Sequence, residues 1–288
     1  MRVHFCGVRG STPVADAAFL RYGGSTSCVA IAHREGEPRL VLDGGTGLMR
    51  LSSMLGPRPF VGTIMLSHLH WDHTHGLPFF AAGLRPGGHV RVLLPTDGED
   101  PEELLARAFS PPHFPVRPRD LGGNWEFVAI EPGWHEIEGF DVLVEVVPHK
   151  GGTTYGIRVE RDGASLAYLP DHAPTSLGGG MDGLGERHDA ALKLCANVDL
   201  LIHDAQHLAR EFPMMAFLGH ATVDYAMALA DETDARTLCL FHYAPTRTDD
   251  EIDEIVAELS AERSVIAAAE GQVLTLDGSR SKVIEVTS

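Results

Sequence analysis

Short runs of Val, Ile and Leu, each closed off by turn residues, recur from the first residues to beyond position 240. They fall at residues 3–6, 28–32, 40–42, 63–66, 90–94, 127–130, 142–147, 155–159, 165–169, 200–202 and 237–241. Runs of this length and composition predict strands, and there are too many for one small sheet. Helical periodicity is sparser. Behind Thr222, a favourable N-cap, the apolar residues Val223, Ala226, Met227 and Ala230 share one helix face. Thr248 and Glu251 have capping-box spacing and lead into Ile252, Ile255, Val256 and Leu259 at the same period. Strands dominate the first half, and strand–helix units close the second. The pattern predicts an α/β sandwich of two face-to-face sheets with helices on the outer faces. Residues 110–118 are too proline-rich for regular structure and residues 177–185 are flexible with glycine; either could border a site, with a surface connection the alternative for each.

Composition narrows this only a little. The 288 residues are 44% hydrophobic, enough for a real core. Lys and Arg number 23 against 40 Asp and Glu, a formal net charge of −17. That charge disfavours docking of a large nucleic acid, while a small phosphate ester could still be drawn to a local metal charge. Cys6, Cys28, Cys195 and Cys239 stand singly and read as buried hydrophobes of a reducing compartment. No leader-like opening and no apolar run of about 18 residues is present, so the expected location is the cytoplasm, without membrane attachment.

Candidate chemistry changes the picture most. The strand text of residues 63–66 gives way at Ser67, and His68, His70, Asp72 and His73 follow within six residues. Neutral imidazoles and a carboxylate suit Zn²⁺ or a related metal. In a turn after a strand, His68 and His70 project to one side, with Asp72 and His73 towards a neighbouring point. One short loop can thus serve two metals.

This segment resembles the ribonuclease Z and cyclic-nucleotide phosphodiesterase-like branch of the metallo-β-lactamase superfamily. Further matching positions follow in order: Asp43, Gly44 and Gly45 as the turn supporting the histidine loop, then His149, Asp171 and His242. The last three close apolar strands, a position from which a side chain enters a cleft. The resemblance implies a metallo-β-lactamase fold, an αββα sandwich of two mixed sheets, as a single domain over residues 1–288. It also implies two divalent ions, Zn²⁺ in the first instance, with Mn²⁺ or Fe as alternatives. One would be held by His68, His70 and His149, the other by Asp72, His73 and His242, with Asp171 bridging. A homodimer is implied as well.

Two metals about 3.5–4 Å apart can share a hydroxide and clamp both oxygens of a displacement at phosphorus. The same site hydrolyses thioesters, lactones and β-lactams, so the ligands alone do not choose the substrate. Asp204, after the strand at 200–202, and His220, just before the Thr222-capped helix, resemble the pair by which this branch protonates a leaving alkoxide. Asp72, His220 and Asp204 are therefore the catalytic candidates. His203 and His207 are expected to be structural or exposed, and His75 to pack beneath the loop. Arg9 and Lys150 are candidate phosphate contacts, with a solvated charge the alternative for each.

The chain also departs from ribonuclease Z. Only about twenty residues, 151–170, separate His149 from Asp171, leaving no room for the long arm that grips transfer RNA. Asp204 stands where that enzyme has Glu, and Trp71 where it often has Gly. The text around Gly7, Arg9 and Ser11, from Arg21 to Cys28 and from His70 to Phe80 is closer to a bacterial subgroup related to cyclic-nucleotide phosphodiesterases. The expected activity is hydrolysis of a small phosphodiester, such as a cyclic nucleotide or another cyclic phosphate. The alternatives are a thioesterase or lactonase, or a non-catalytic metal-dependent ligand sensor.

Overall fold

A computed structural model describes residues 1–278 and 284–286, of which Pro213, Ala216 and 284–286 are described by their backbone alone. All eleven expected strands are present, several extended by a residue or two. In chain order the strands are β1 (Arg2–Gly7), β2 (Cys28–Ala32), β3 (Pro38–Leu42), β4 (Val61–Met65), β5 (His89–Leu94), β6 (Asn124–Ala129), β7 (Gly133–Ile137), β8 (Phe140–Val147), β9 (Thr154–Arg161), β10 (Ala164–Leu169), β11 (Leu200–Asp204), β12 (Thr237–Phe241), β13 (Val265–Ala267), β14 (Val273–Thr275) and β15 (Ile284–Val286). They form two mixed sheets among the described residues. One runs β15-β14-β1-β2-β3-β4-β5-β6 and the other β13-β12-β11-β10-β9-β8-β7.

Strand alternation divides the core. In β2 every residue is buried, yet Val29 and Ile31 join the cluster between the sheets, whereas Cys28 and Ala30 join the cluster on the outer face of the first sheet. β3 does the same, sending Leu40 and Leu42 inwards and Val41 outwards. The outer face is covered by the helices Leu48–Leu55 and Pro101–Ala108, through Leu48, Leu51, Leu55 and Leu105. Helices Asp189–Cys195 and Val223–Glu232 supply Leu194, Cys195, Ala226 and Leu229 to the larger cluster. This is the expected αββα sandwich. The Val223–Glu232 and Asp249–Leu259 helices carry the caps read from the sequence, Thr222 accepting from Tyr225 N and Thr248 forming a capping box with Glu251. All four cysteines are buried and unpaired. No helix among the described residues is long and apolar enough to cross a membrane.

Strands β10, β11 and β12 are mutually parallel, and β8 runs with them because β9 is antiparallel to both β8 and β10. Their C-terminal ends therefore lie along one edge of the sheet. β3 to β6 are likewise parallel in the other sheet. Clefts at the carboxyl ends of parallel strands are where α/β sheets place ligands. Asp162 and Gly163 alone join β9 to β10, so the segment between His149 and Asp171 is a tight hairpin.

Candidate metal centre

The loop leaving β4 is pinned from below. Asp43, the residue after β3, in a left-handed conformation (φ 64°), accepts hydrogen bonds from Ser67 N at 2.7 Å and Ser67 Oγ at 2.9 Å. The same carboxylate accepts from the Tyr168 hydroxyl at 2.8 Å and from His73 Nδ1 at 2.7 Å. A non-glycine residue held there marks a backbone over-determined by its surroundings. Because Nδ1 of His73 donates to Asp43, Nε2 is the nitrogen it presents to the cluster. Ser67 Oγ, having given its proton to Asp43, accepts from His68 Nδ1 at 3.0 Å, which frees His68 Nε2 in the same way. His149 Nδ1 donates to Gly219 O at 2.6 Å, and again Nε2 is free.

These freed nitrogens converge. His70 Nδ1 and His149 Nε2 face each other at 3.3 Å, and Asp171 Oδ2 lies 3.3 Å from His149 Nε2 and 3.7 Å from His68 Nε2. On the other side, His73 Nε2 and His242 Nε2 are 3.3 Å apart. Asp72 Oδ2 lies 3.0 Å from His242 Nε2 and 3.3 Å from His73 Nε2. Asp171 Oδ1 is 3.0 Å from His73 Nε2 and 3.1 Å from His242 Nε2. Asp171 thus turns one oxygen to each group, and the structure brings together all seven residues expected as ligands. Ser11 N fixes the Asp72 carboxylate with a 2.6 Å bond, a contact sequence reasoning missed. Gly10 is required beside it, since a Cβ there would come within 2.5 Å of the His242 ring.

The donor set fits metal ions. His68 Nε2 is buried without a hydrogen-bond partner among the described residues, a costly state for a polar atom unless something else satisfies it. Donors about 2.0–2.2 Å from a cation in tetrahedral or octahedral array stand roughly 2.8–3.6 Å apart, the scale of the separations here. Charge agrees. Burial lowers the pKa of His68, His70 and His149 and keeps them neutral, as ligands must be. Burial would raise the Asp72 and Asp171 carboxyls, but the surrounding histidines outweigh it and hold both ionised. His73 is pushed well up because Asp72, Asp171 and Asp43 overcome its burial. The pocket therefore calls for positive charge, which a divalent cation supplies and a proton on His73 supplies only in part.

Beside this cluster, Asp204 ends β11 fully buried and accepts His220 Nδ1 at 3.0 Å, Ala221 N at 3.2 Å and His172 N at 3.1 Å. His220 Nδ1 lies 3.7 Å from Asp171, and the ring stacks at 5.1 Å on His242. Burial opposes protonation of His220, yet Asp204, with Asp171 and Asp72, lifts its pKa to about 9. His207 is buried against the His220 ring.

Other expectations are corrected. His75 does not pack beneath the loop; it is exposed and stacks on Trp71, its neighbour one helical turn back. Arg9 is neither a phosphate contact nor solvated. It is fully buried, donating to Gly23 O at 2.8 Å and Arg247 O at 2.6 Å, and pairing with Asp249 at 3.2 Å. Lys150 is exposed and donates to Phe217 O. Neither residues 110–118 nor 177–185 line the cleft at the metal cluster or the cavity beside it. A second histidine chain, His203, His172 and His188, was not anticipated as a unit. His188 Nε2 meets His172 Nε2 at 2.8 Å, His172 Nδ1 meets His203 Nε2 at 3.0 Å, and His203 Nδ1 donates to Asp204 O at 2.9 Å.

A family model described as the beta-lactamase superfamily domain matches residues 39–243. A ribonuclease Z from Natronomonas pharaonis is 25% identical over 303 aligned positions, which cover 84% of this chain and 86% of that protein. Zn²⁺-bound PqqB from Methylobacterium extorquens superposes with a TM-score of 0.71 at 19% identity, covering 96% of this chain and 100% of that one. A diphosphatase of the PhnP family gives a TM-score of 0.69, also at 19% identity, with 95% and 97% covered. The two structural likenesses show a shared fold, and the family model spans well over half the chain. This protein belongs to the beta-lactamase superfamily, has the metallo-β-lactamase fold, and is a metal-dependent hydrolase.

Proposed function

We propose that the chain hydrolyses a small phosphodiester, a cyclic nucleotide or another cyclic phosphate, with His220 as the general acid. The observation that carries this reading is the His220–Asp204 pair. Asp204 holds Nδ1 at 3.0 Å, which leaves Nε2 as the nitrogen able to give a proton in a cleft that His220 helps to line. An alkoxide leaving group needs such an acid; a thiolate, already a good leaving group, does not.

His68, His70 and His149 would hold one ion and Asp72, His73 and His242 a second, with an oxygen of Asp171 turned to each. Zn²⁺ suits this nitrogen-rich set best. Bound there, the ions would polarise the phosphoryl oxygens and lower the pKa of water. The protein's own part is positional. Asp43 aims His73, Ser67 aims His68, the Gly219 carbonyl aims His149, and Ser11 N turns the Asp72 carboxylate. Asp204 fixes the tautomer of His220 and favours its protonated form, so the proton is in place before the leaving oxygen develops charge.

Three features support a small substrate over transfer RNA, despite the ribonuclease Z relatives. The cleft beside the cluster encloses about 410 Å³, a small-molecule volume. The net charge is −17. The β9–β10 hairpin leaves no arm between His149 and Asp171.

The test is cleavage of bis(p-nitrophenyl) phosphate and of a panel of cyclic phosphates by zinc-loaded protein, run beside thioesters, lactones and a precursor tRNA. Cleavage of small phosphodiesters is expected. Turnover of thioesters or lactones with no phosphodiester cleaved, or of precursor tRNA alone, would overturn the assignment.

A further inference from the structure

Trp71 lies between His70 and Asp72, yet its side chain takes no part in the cluster. Asp72 and His73 turn inwards from the short helix Trp71–Thr74, and the indole is left on the outer side, 66% exposed. Leaving so large an apolar ring in water forgoes stabilisation that burial would give. It is not left bare on both sides. His75, four residues on and on the same side of the helix, stacks on it with centroids 5.4 Å apart and planes 16° apart. One face of the indole is thus backed, and the opposite face has no ring against it among the described residues.

That ring stands at the junction of two cavities. One is the cleft of about 410 Å³ that holds His70, Asp72, His149, Asp171 and His220. The other, about 390 Å³, lies beyond it, and Leu69 and Trp71 line both. The character of the second cavity limits what enters it. Asp97 accepts from Thr153 at 2.6 Å, Glu99 pairs with Arg107, and the lining carries more carboxylate than guanidinium charge. A second phosphate would be repelled there, whereas an uncharged planar ring carrying N–H groups would not.

We propose that Trp71 is a stacking platform for a nucleobase, so that the substrate is a base-bearing phosphodiester whose phosphate enters the first cavity and whose base lies on the indole towards the second. This rests on the phosphodiester reading above and narrows it to nucleotides. A Trp face accepts any base, because every base presents a π surface, and such stacking is sequence-tolerant.

The test compares a nucleoside cyclic phosphate with the methyl riboside cyclic phosphate that lacks only the base, as both 2′,3′ and 3′,5′ isomers. In the zinc-loaded protein, Trp71→Ala is expected to raise KM for the base-bearing compound roughly 5- to 150-fold. Its kcat, and both constants for the base-free compound, should move less than about twofold, and Trp71→Phe should retain most of the affinity. A second readout needs no turnover. Adenosine monophosphate should quench the tryptophan fluorescence of the wild type, ribose 5-phosphate should not, and the quench should vanish in Trp71→Phe, which keeps Trp125 and Trp134. Equal losses for base-bearing and base-free compounds, or equal quenching by the two ligands, would overturn the proposal. Absence of all phosphodiester cleavage with the base-specific quench intact would instead sink the phosphodiester reading and leave the platform standing.

Discussion

Two groups of buried histidines meet at neighbouring chain positions, and they differ in what their nitrogens face. His172 follows Asp171 and His203 precedes Asp204, so the groups share the same strand ends. In the first, around Asp171, the imidazoles of His68, His73 and His149 are each oriented by a partner on one nitrogen, and the other nitrogen points at further donors. In the second, the imidazoles satisfy one another. Ala191 N–H donates to His188 Nδ1, His188 to His172, His172 to His203, and His203 to the Asp204 carbonyl. A carbonyl at one end and an N–H at the other fix every tautomer along that chain. Burial holds His172 and His203 at lowered pKa, hence neutral, and among the described residues no carboxylate oxygen accepts from their rings. Density of histidines is thus a poor sign of a metal site. What matters is lone pairs without an internal donor of their own, beside carboxylates that need a counter-charge.

The largest effect should come from Asp171, whose two carboxylate oxygens face the two halves of the cluster. Asp171→Ala is expected to strip metal, measured by elemental analysis of the purified protein, and to lower turnover roughly 10⁴-fold or more. Retained metal with near-normal turnover would remove the basis of the comparison. His220→Ala should cost roughly 10²–10³-fold in kcat for an alkyl phosphodiester while metal content stays at the wild-type level. A p-nitrophenyl ester, whose leaving group needs no proton, should lose far less. The pH behaviour follows with a definite sign. His220 is raised to about 9, so in the metal-free protein its imidazolium should persist at neutral pH and deprotonate as pH rises through about 9. In Asp204→Asn the midpoint should fall, as followed by NMR titration of the ring protons.

Asp43→Asn leaves every ligand in place but weakens the acceptor for His73, Ser67 and Tyr168. A loss of about 10- to 100-fold in metal affinity is expected from competition with a chelator. The smallest functional effect belongs to the second histidine group. His172→Leu should lower stability to denaturant by about 1–3 kcal/mol, through stranded partners on His203 and His188. Metal content should be unchanged and turnover within a few-fold of wild type. If that variant instead lost metal as Asp171→Ala does, the division between the two groups would be artificial.

Much of the fold was legible because it rests on local periodicity. Residues 28–32 and 237–241 read as strands and are strands, buried on both faces. What escaped was weakly patterned or signalled in another way. β7, Gly133–Ile137, is an edge strand whose Trp134 and Glu136 are exposed, so its text looks like loop. The helix Pro101–Ala108 was signalled by Asp100 as N-cap and proline at the first position, a cue that was there to be read. The helix Asp189–Cys195 is capped by His188, whose preference for that place is too weak to notice.

The sequence by itself determined the strand inventory, the two capped helices and the four-ligand loop His68 to His73, which are local features; His149, Asp171 and His242 were picked out by the family resemblance, since a polar residue at a strand end is by itself ordinary. Only the tertiary structure decided which nitrogen of each histidine is free, because that depends on acceptors far away in the chain: Asp43 for His73, Gly219 for His149, Asp204 for His220. It also decided that Arg9 is a buried strut and that His172 belongs to a closed chain of imidazoles. In both cases the side chain's chemistry is set by partners on other elements, which no spacing along the chain reveals. Trp71 shows the same division most simply. The sequence placed it in the metal loop, and the packing of Asp72 and His73 inwards left its ring at the mouth.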